Sequence, residues 1–187
     1  MSENSRYPSG QQKYCTTVGR LLPQIVAQIL NDLGFVVNNK EDQSNGVDLE
    51  VFDKENKQVF VAEIINWSCF SEMSNKRKSW IITNLSKYNC KRVFIYTVLK
   101  NERTLADFST LGISLLKIGY QVLPKSYYEH FAGKGQLVLR RFDSEETRKD
   151  VESKIAKSLS SLNIVHFEKT LSTEITVTDS VTRIPRR

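Results

Sequence analysis

Apolar positions along this chain change spacing several times, and each change predicts an element. Leu22, Ile25, Val26, Ile29, Leu30 and Leu33 recur at helical intervals on one face. Pro23 is tolerable there because a first helical turn needs no amide donor at that position. Gly34 ends this helix, Val36 and Val37 open a strand, and the polar run 38–45 turns the chain. Two β-branched runs, 46–53 and 58–66, then flank the polar tetrapeptide 54–57, which predicts a hairpin.

Beyond the hairpin, Met73, Trp80, Ile81 and Leu85 beside Lys76, Arg77, Lys78 and Lys87 predict a helix over 71–88 with a core stripe and a basic flank. The continuous apolar run at 93–98 predicts a buried central strand over 92–98. Leu105, Phe108 and Leu111 predict a short helix closed by Gly112, followed by another buried strand over 113–118. A loop around Gly133-Lys134-Gly135 precedes a strand over 136–140. Asp143 with Glu146 three residues on reads as a capping box, opening a helix to about Leu162 through Val151, Ile155 and Leu159. A hairpin followed by alternating helices and strands implies an α/β fold with a sheet of mixed direction.

Composition narrows the class. A chain of 187 residues with 40% hydrophobic content suffices for one domain that buries about 70% of its unfolded surface. The expected organisation is a polar, flexible lead over 1–13, a single α/β domain over 14–165 and a flexible, Ser/Thr-rich tail over 166–187. Cys15, Cys69 and Cys90 lack Cys-x-x-Cys spacing and suggest neither a disulfide framework nor a zinc cluster, so a reducing cytoplasmic setting is expected. No apolar run approaches the ~18 residues of a membrane span, and 1–13 has no hydrophobic signal core.

The chemistry concentrates in the hairpin. Side chains alternate with period two, so Asp48 and Glu50 share one side of their strand, as do Glu63, Ile65 and Trp67 of theirs. Glu63 lies between Val59-Phe60-Val61-Ala62 and Ile64-Ile65, a run that should be buried on both faces. A carboxylate there costs several kcal/mol unless it is paired or bound to a cation. A divalent metal shared with Asp48, a salt bridge to a lysine or arginine, or a strand-end position open to water would each satisfy it. Asp48, after Asn45-Gly46, also fits a plain turn residue.

These residues resemble the motif of the PD-(D/E)XK nucleases, the restriction-endonuclease-like group that includes the archaeal Holliday junction resolvases. In that pattern an Asp opens one strand and a Glu-x-Lys sits on its partner; here Asp48 and Glu63 stand with fourteen residues between them. The order of elements over roughly 17–123 is similar too. The resemblance implies a restriction-endonuclease-like mixed central sheet flanked by helices. It also implies a Mg²⁺ or Mn²⁺ held by Asp48 and Glu63, and hydrolysis of DNA phosphodiester bonds, often by a homodimer. Three positions depart from the pattern: Val47 replaces the proline, Ile65 the lysine, and Gln24 stands where the first helix commonly carries a Glu. Some members carry the lysine on a following helix, which makes Lys78 or Lys76 the candidate catalytic substitute. Asn66, on the opposite face by strict alternation, could serve only through a bulge. The same departures support an alternative in which the chain keeps the fold but not hydrolysis, as a nucleic-acid-binding or assembly subunit.

Charge agrees with a nucleic-acid partner. The chain carries +6 overall. Residues 74–103 hold eight basic side chains against Glu102 alone, so this segment accounts for the whole net charge. Lys76, Arg77, Lys78 and Lys87 are the candidate phosphate contacts, although Lys76-Arg77-Lys78 also reads as a solvated helix face. No Gly-x-x-x-x-Gly-Lys-Ser/Thr or Gly-x-Gly-x-x-Gly pattern predicts a nucleotide cofactor. His130 and His166 have no ligand spacing, and Trp67, Tyr127 and Tyr128 read as packing residues before base-stacking ones.

Overall fold

The computed structural model describes residues 16–40, 46–135 and 137–165. The lead, the tail, Cys15, His166 and most of the 38–45 turn lie outside them. Helix α1 (Leu21–Asp32) is followed by β1 (Val36–Asn39), β2 (Leu49–Phe52), β3 (Gln58–Ile65), α2 (Asn75–Ser86) and β4 (Lys91–Tyr96). Two 3-10 turns (Glu102–Leu105, Ser109–Leu111) lead into β5 (Ile113–Lys117) and β6 (Gln121–Leu123). Helix α3 (Lys125–Phe131), β7 (Leu139–Arg141) and α4 (Glu145–Ser161) complete the order.

The five main strands lie in the order β1-β2-β3-β4-β5. β1, β2 and β3 are antiparallel, while β3, β4 and β5 run parallel. Between β2 and β3, Asp53 Oδ1 accepts from the amides of Glu55 and Lys57 at 2.9 Å each, and Asn56 takes a left-handed φ of 62°. Such side-chain closure of a turn is the reason Asp and Asn favour these positions. The mixed sheet is thus built from a hairpin that supplies antiparallel pairing and a helix crossover that supplies parallel pairing.

Helices cover both faces. Phe60, Ala62 and Ile64 of β3 pack with α1 and α4 through Val26, Ile29, Leu30, Val151 and Ile155. Val61 and Ile65 pack with Met73, Ile81, Leu85, Phe94 and Phe108 beneath α2 and the 3-10 turns. Period-two alternation therefore assigns Glu63 to the α2 face. Gly34, at φ 92°, ends α1 in a conformation that side chains rarely adopt.

Asn66 locks the end of β3 to the second, two-stranded sheet of β6 and β7. Its Nδ2 donates to the carbonyls of Val18 and Val122 at 2.7 Å, and its Oδ1 accepts from the Val122 amide at 2.8 Å. The residue is buried and faces away from Glu63, as alternation requires, so it cannot replace a lysine there. Asn66→Ala should cost about 3 kcal/mol in urea unfolding, because it strands buried backbone groups as well as losing their bonds. A loss below about 1 kcal/mol would mean that water takes over these contacts.

Several local expectations change. β5 is an edge strand, with Leu115 and Lys117 exposed, because no described strand pairs beyond it. The predicted helix over 105–111 is a pair of 3-10 turns. Within the strand expected over 136–140, the described residues 137–140 contribute only the start of β7, while Lys125–Phe131 is helical. Helix α4 is capped at Ser144 without a side-chain bond. Asp143 instead takes a bidentate pair with Arg141 at 2.9 and 2.7 Å, a charge-assisted partner stronger than helix amides.

Candidate functional site

The pairing of Leu49 with Ala62 brings Asp48 beside Glu63 at the end of the β2–β3 ladder. Asp48 Oδ2 accepts from the Ile64 amide at 2.6 Å. Glu63 is fully buried. Its Oε1 accepts from Asn84 Nδ2 at 3.2 Å, and its Oε2 is buried with no nitrogen or hydroxyl donor. Asn84 also donates to the Gly46 carbonyl at 3.3 Å, while Lys87 Nζ donates to Asn84 Oδ1 at 3.1 Å. An ammonium can only donate, so Lys87 turns the amide with its NH₂ toward Glu63.

Both acids are poor anions here. Burial pushes Glu63 up to about 8, the neighbouring Asp48 charge adds to that, and Asn84 and Arg77 oppose it. Burial likewise pushes Asp48 up to about 6 against the Ile64 amide and Arg77. Two like charges in one dry site resist joint ionisation, so near neutral pH the pair retains a proton.

The cation facing the pair is Arg77. Its charge acts on both carboxylates, its Nε is buried without a hydrogen-bond acceptor, and its guanidinium lies 4.2 Å over the Trp80 ring. Arg77, Ile81, Asn84 and Tyr88 recur at helical spacing on the sheet-facing stripe of α2 and its continuation. The sequence placed Arg77 among phosphate contacts and did not single out Asn84. Helical phase supplied the missed signal, since both residues share a face with buried Ile81.

The other candidates are placed differently. Lys78 Nζ donates to Asp107 Oδ2 at 2.7 Å and to the Thr104 carbonyl at 3.1 Å, which ties it to the 3-10 turn. That bond draws Asp107 below its ordinary carboxylate range. Lys76 is exposed on α2. Ile65 packs in the core beneath α2. Gln24 is exposed on α1, which covers the opposite face. Glu50 accepts from Tyr88 at 2.9 Å and pairs with Lys40 at 3.0 Å. The basic segment is also less bare than its count implies, since Lys78 and Lys100 pair with Asp107 and Glu72, acids outside it. His130 sits edge-on to Phe131 and is far from both acids in sequence.

The donor set suits a hard divalent cation. Mg²⁺ is commonly held by one or two carboxylates, with water and substrate phosphate completing its shell. Asp48 and Glu63 can supply that pair: their carboxyls lie within hydrogen-bonding reach of each other, and Glu63 Oε2 receives no nitrogen or hydroxyl donor. No group of three His, Cys, Asp or Glu residues that could hold a metal ion stands among the described residues. No described helix is long and apolar enough to cross a membrane. Comparison with protein-family models, with curated proteins and with solved structures finds no match.

Proposed function

We propose that this protein is a divalent-metal-dependent DNA endonuclease with a restriction-endonuclease-like core, its metal held by Asp48 and Glu63. The observation that carries this reading is the acid pair itself: a fully buried Glu63, whose Oε2 receives no nitrogen or hydroxyl donor, beside Asp48 at the end of two interior strands. A bound Mg²⁺ or Mn²⁺ would activate water and screen charge building on the phosphodiester. Asn84 holds one Glu63 oxygen. Arg77 supplies positive charge beside the pair, the electrostatic part of the missing lysine's role. Being always protonated, it cannot serve as a base.

A second reading has its own observations. Ile65 is buried and the Lys78 ammonium is committed to Asp107, which favours a domain that binds nucleic acid without cutting it. The two readings separate in one assay on duplex, branched and single-stranded DNA with Mg²⁺ or Mn²⁺ at low salt. The hydrolase reading expects cleavage by the wild type and a loss of at least roughly 100-fold in Glu63→Ala. Binding without cleavage by the wild type would overturn it in favour of the second reading. Cleavage that survives in Glu63→Ala would remove this site from consideration.

A further inference from the structure

Among the described residues only two exposed large apolar side chains are aromatic, Phe70 at 62% and Trp80 at 37%. Both lie on the stretch that leaves β3 just after Glu63 and continues into α2.

The loop carrying Phe70 is held in place. Thr97 Oγ1 accepts from the Trp67 amide at 3.1 Å and donates to the Trp67 carbonyl at 2.7 Å. Asn101 clasps the amide and carbonyl of Met73 at 2.8 and 3.0 Å, and the Lys100 amide donates to the Ser71 carbonyl at 3.0 Å. Phe70 is therefore displayed to solvent by a fixed backbone, with no local packing to reward the exposure.

Trp80 belongs to an exposed stripe. Lys76, Trp80, Thr83 and Lys87 recur at helical spacing and are all exposed. Lys76 and Lys87, the C-cap of α2, stand eleven helical steps apart, about 16 Å. The indole thus stands between two lysines, one of its faces covered by the Arg77 guanidinium at 4.2 Å. Lysines beside aromatic planes are the composition of single-strand sites: cations follow the backbone and rings stack on bases. In a duplex each base face is already covered by its neighbours, so a flat ring gains such a partner only where a base is unpaired.

We infer that Phe70 and Trp80 form a stacking platform for unpaired bases, with Lys76 and Lys87 taking the adjacent phosphates, so that the strand presented to the acid pair is single-stranded or locally opened. This specifies the substrate class of the nucleic-acid reading and rests on it. It does not require hydrolysis.

The test is binding of a fluorescently labelled oligothymidine and of a mixed-sequence duplex of equal length by the full chain in EDTA, where no metal-dependent cleavage occurs. Trp80→Ala should weaken oligothymidine binding by roughly 5- to 100-fold and Phe70→Ala by a smaller factor, as expected for loss of one stacked base. Duplex affinity should change less than about twofold, and Trp80→Phe should keep most of the single-strand affinity. Phe70 and Trp80 are exposed, so thermal melting should be close to wild type in each variant. Equal losses on both substrates, unchanged binding in both alanine variants, or no oligothymidine binding by the wild type would overturn the platform. Failure of the hydrolase reading looks different: oligonucleotide binding persists, selective for single strands, while Mg²⁺ or Mn²⁺ produces no cut.

Discussion

Glu63→Gln should stabilise the metal-free protein at pH 8 by on the order of 3 kcal/mol and flatten its dependence on pH. The folded state holds the Glu63 proton up to about 8, against an ordinary value of 4.5. Between those values the folded protein binds more protons than the unfolded chain. The stability that comes from retaining this proton is complete below about 4.5 and is lost as pH rises through about 8. Asp48 adds a second loss in the same direction at lower pH, between its ordinary 3.8 and about 6. A neutral amide at position 63 cannot ionise, so the larger part of the slope disappears. Urea unfolding in EDTA at several pH values from 5 to 8 measures this, and parallel curves for wild type and variant would show that Glu63 ionises without cost. Adding Mn²⁺ at pH 8 should raise the melting temperature of the wild type and leave that of Glu63→Gln nearly unchanged, since binding to the native state alone stabilises it.

Arg77→Met should separate metal binding from chemistry. Arg77 is the cation acting on both carboxylates and would oppose a second cation there. Its removal should tighten Mn²⁺ binding several-fold by calorimetry, because like-charge repulsion near a partly dry site is worth on the order of 1 kcal/mol. On the hydrolase reading, single-turnover cleavage should fall by roughly 100-fold with metal saturating, because charge developing on the phosphate loses the cation that acts on the acid pair. Arg77→Lys should recover part of that loss, retaining the charge but not the planar fork. Tighter metal binding with cleavage unchanged would restrict Arg77 to balancing the acids in the metal-free protein. Weaker metal binding would mean that Arg77 instead holds the carboxylates in place.

The hairpin was readable because both of its signals are local. Alternating β-branched residues and the polar turn at 54–57 need no tertiary information, and Asp53 closes that turn within four residues of chain. The adjacency of Asp48 and Glu63 was not, because an irregularity between Val51 and Phe52 shifts the pairing by one residue from the register that the turn sets, and only that shift brings Asp48 opposite Glu63. The 3-10 turns and the capping of α4 were not readable, because each depends on which partner wins a local competition. Asp143 had helix amides and Arg141 within reach, and only the backbone path shows that the guanidinium takes it.

Charge shows the same division. Eight basic residues cluster in sequence over 74–103, and their count gave no means of telling a phosphate contact from an internal ion pair. Folding sends neighbours on α2 to different surroundings, because successive helical residues point about 100° apart. Lys76 meets solvent, Arg77 the acid pair, and Lys78 Asp107.

The sequence by itself determined the alternation of elements, the mixed direction of the sheet and the placement of a carboxylate in a buried strand, since these follow from periodicity and turn chemistry along contiguous residues. Tertiary structure alone decided that β5 is an edge, that Asn84 and Lys87 orient Glu63, and that Arg77 is the cation beside the acids. Helical phase marks Arg77 and Asn84 as sharing a face with buried Ile81, but the groups they meet there come from segments distant in sequence that are brought together across the sheet, and no stretch of the chain carries a local signal for that pairing.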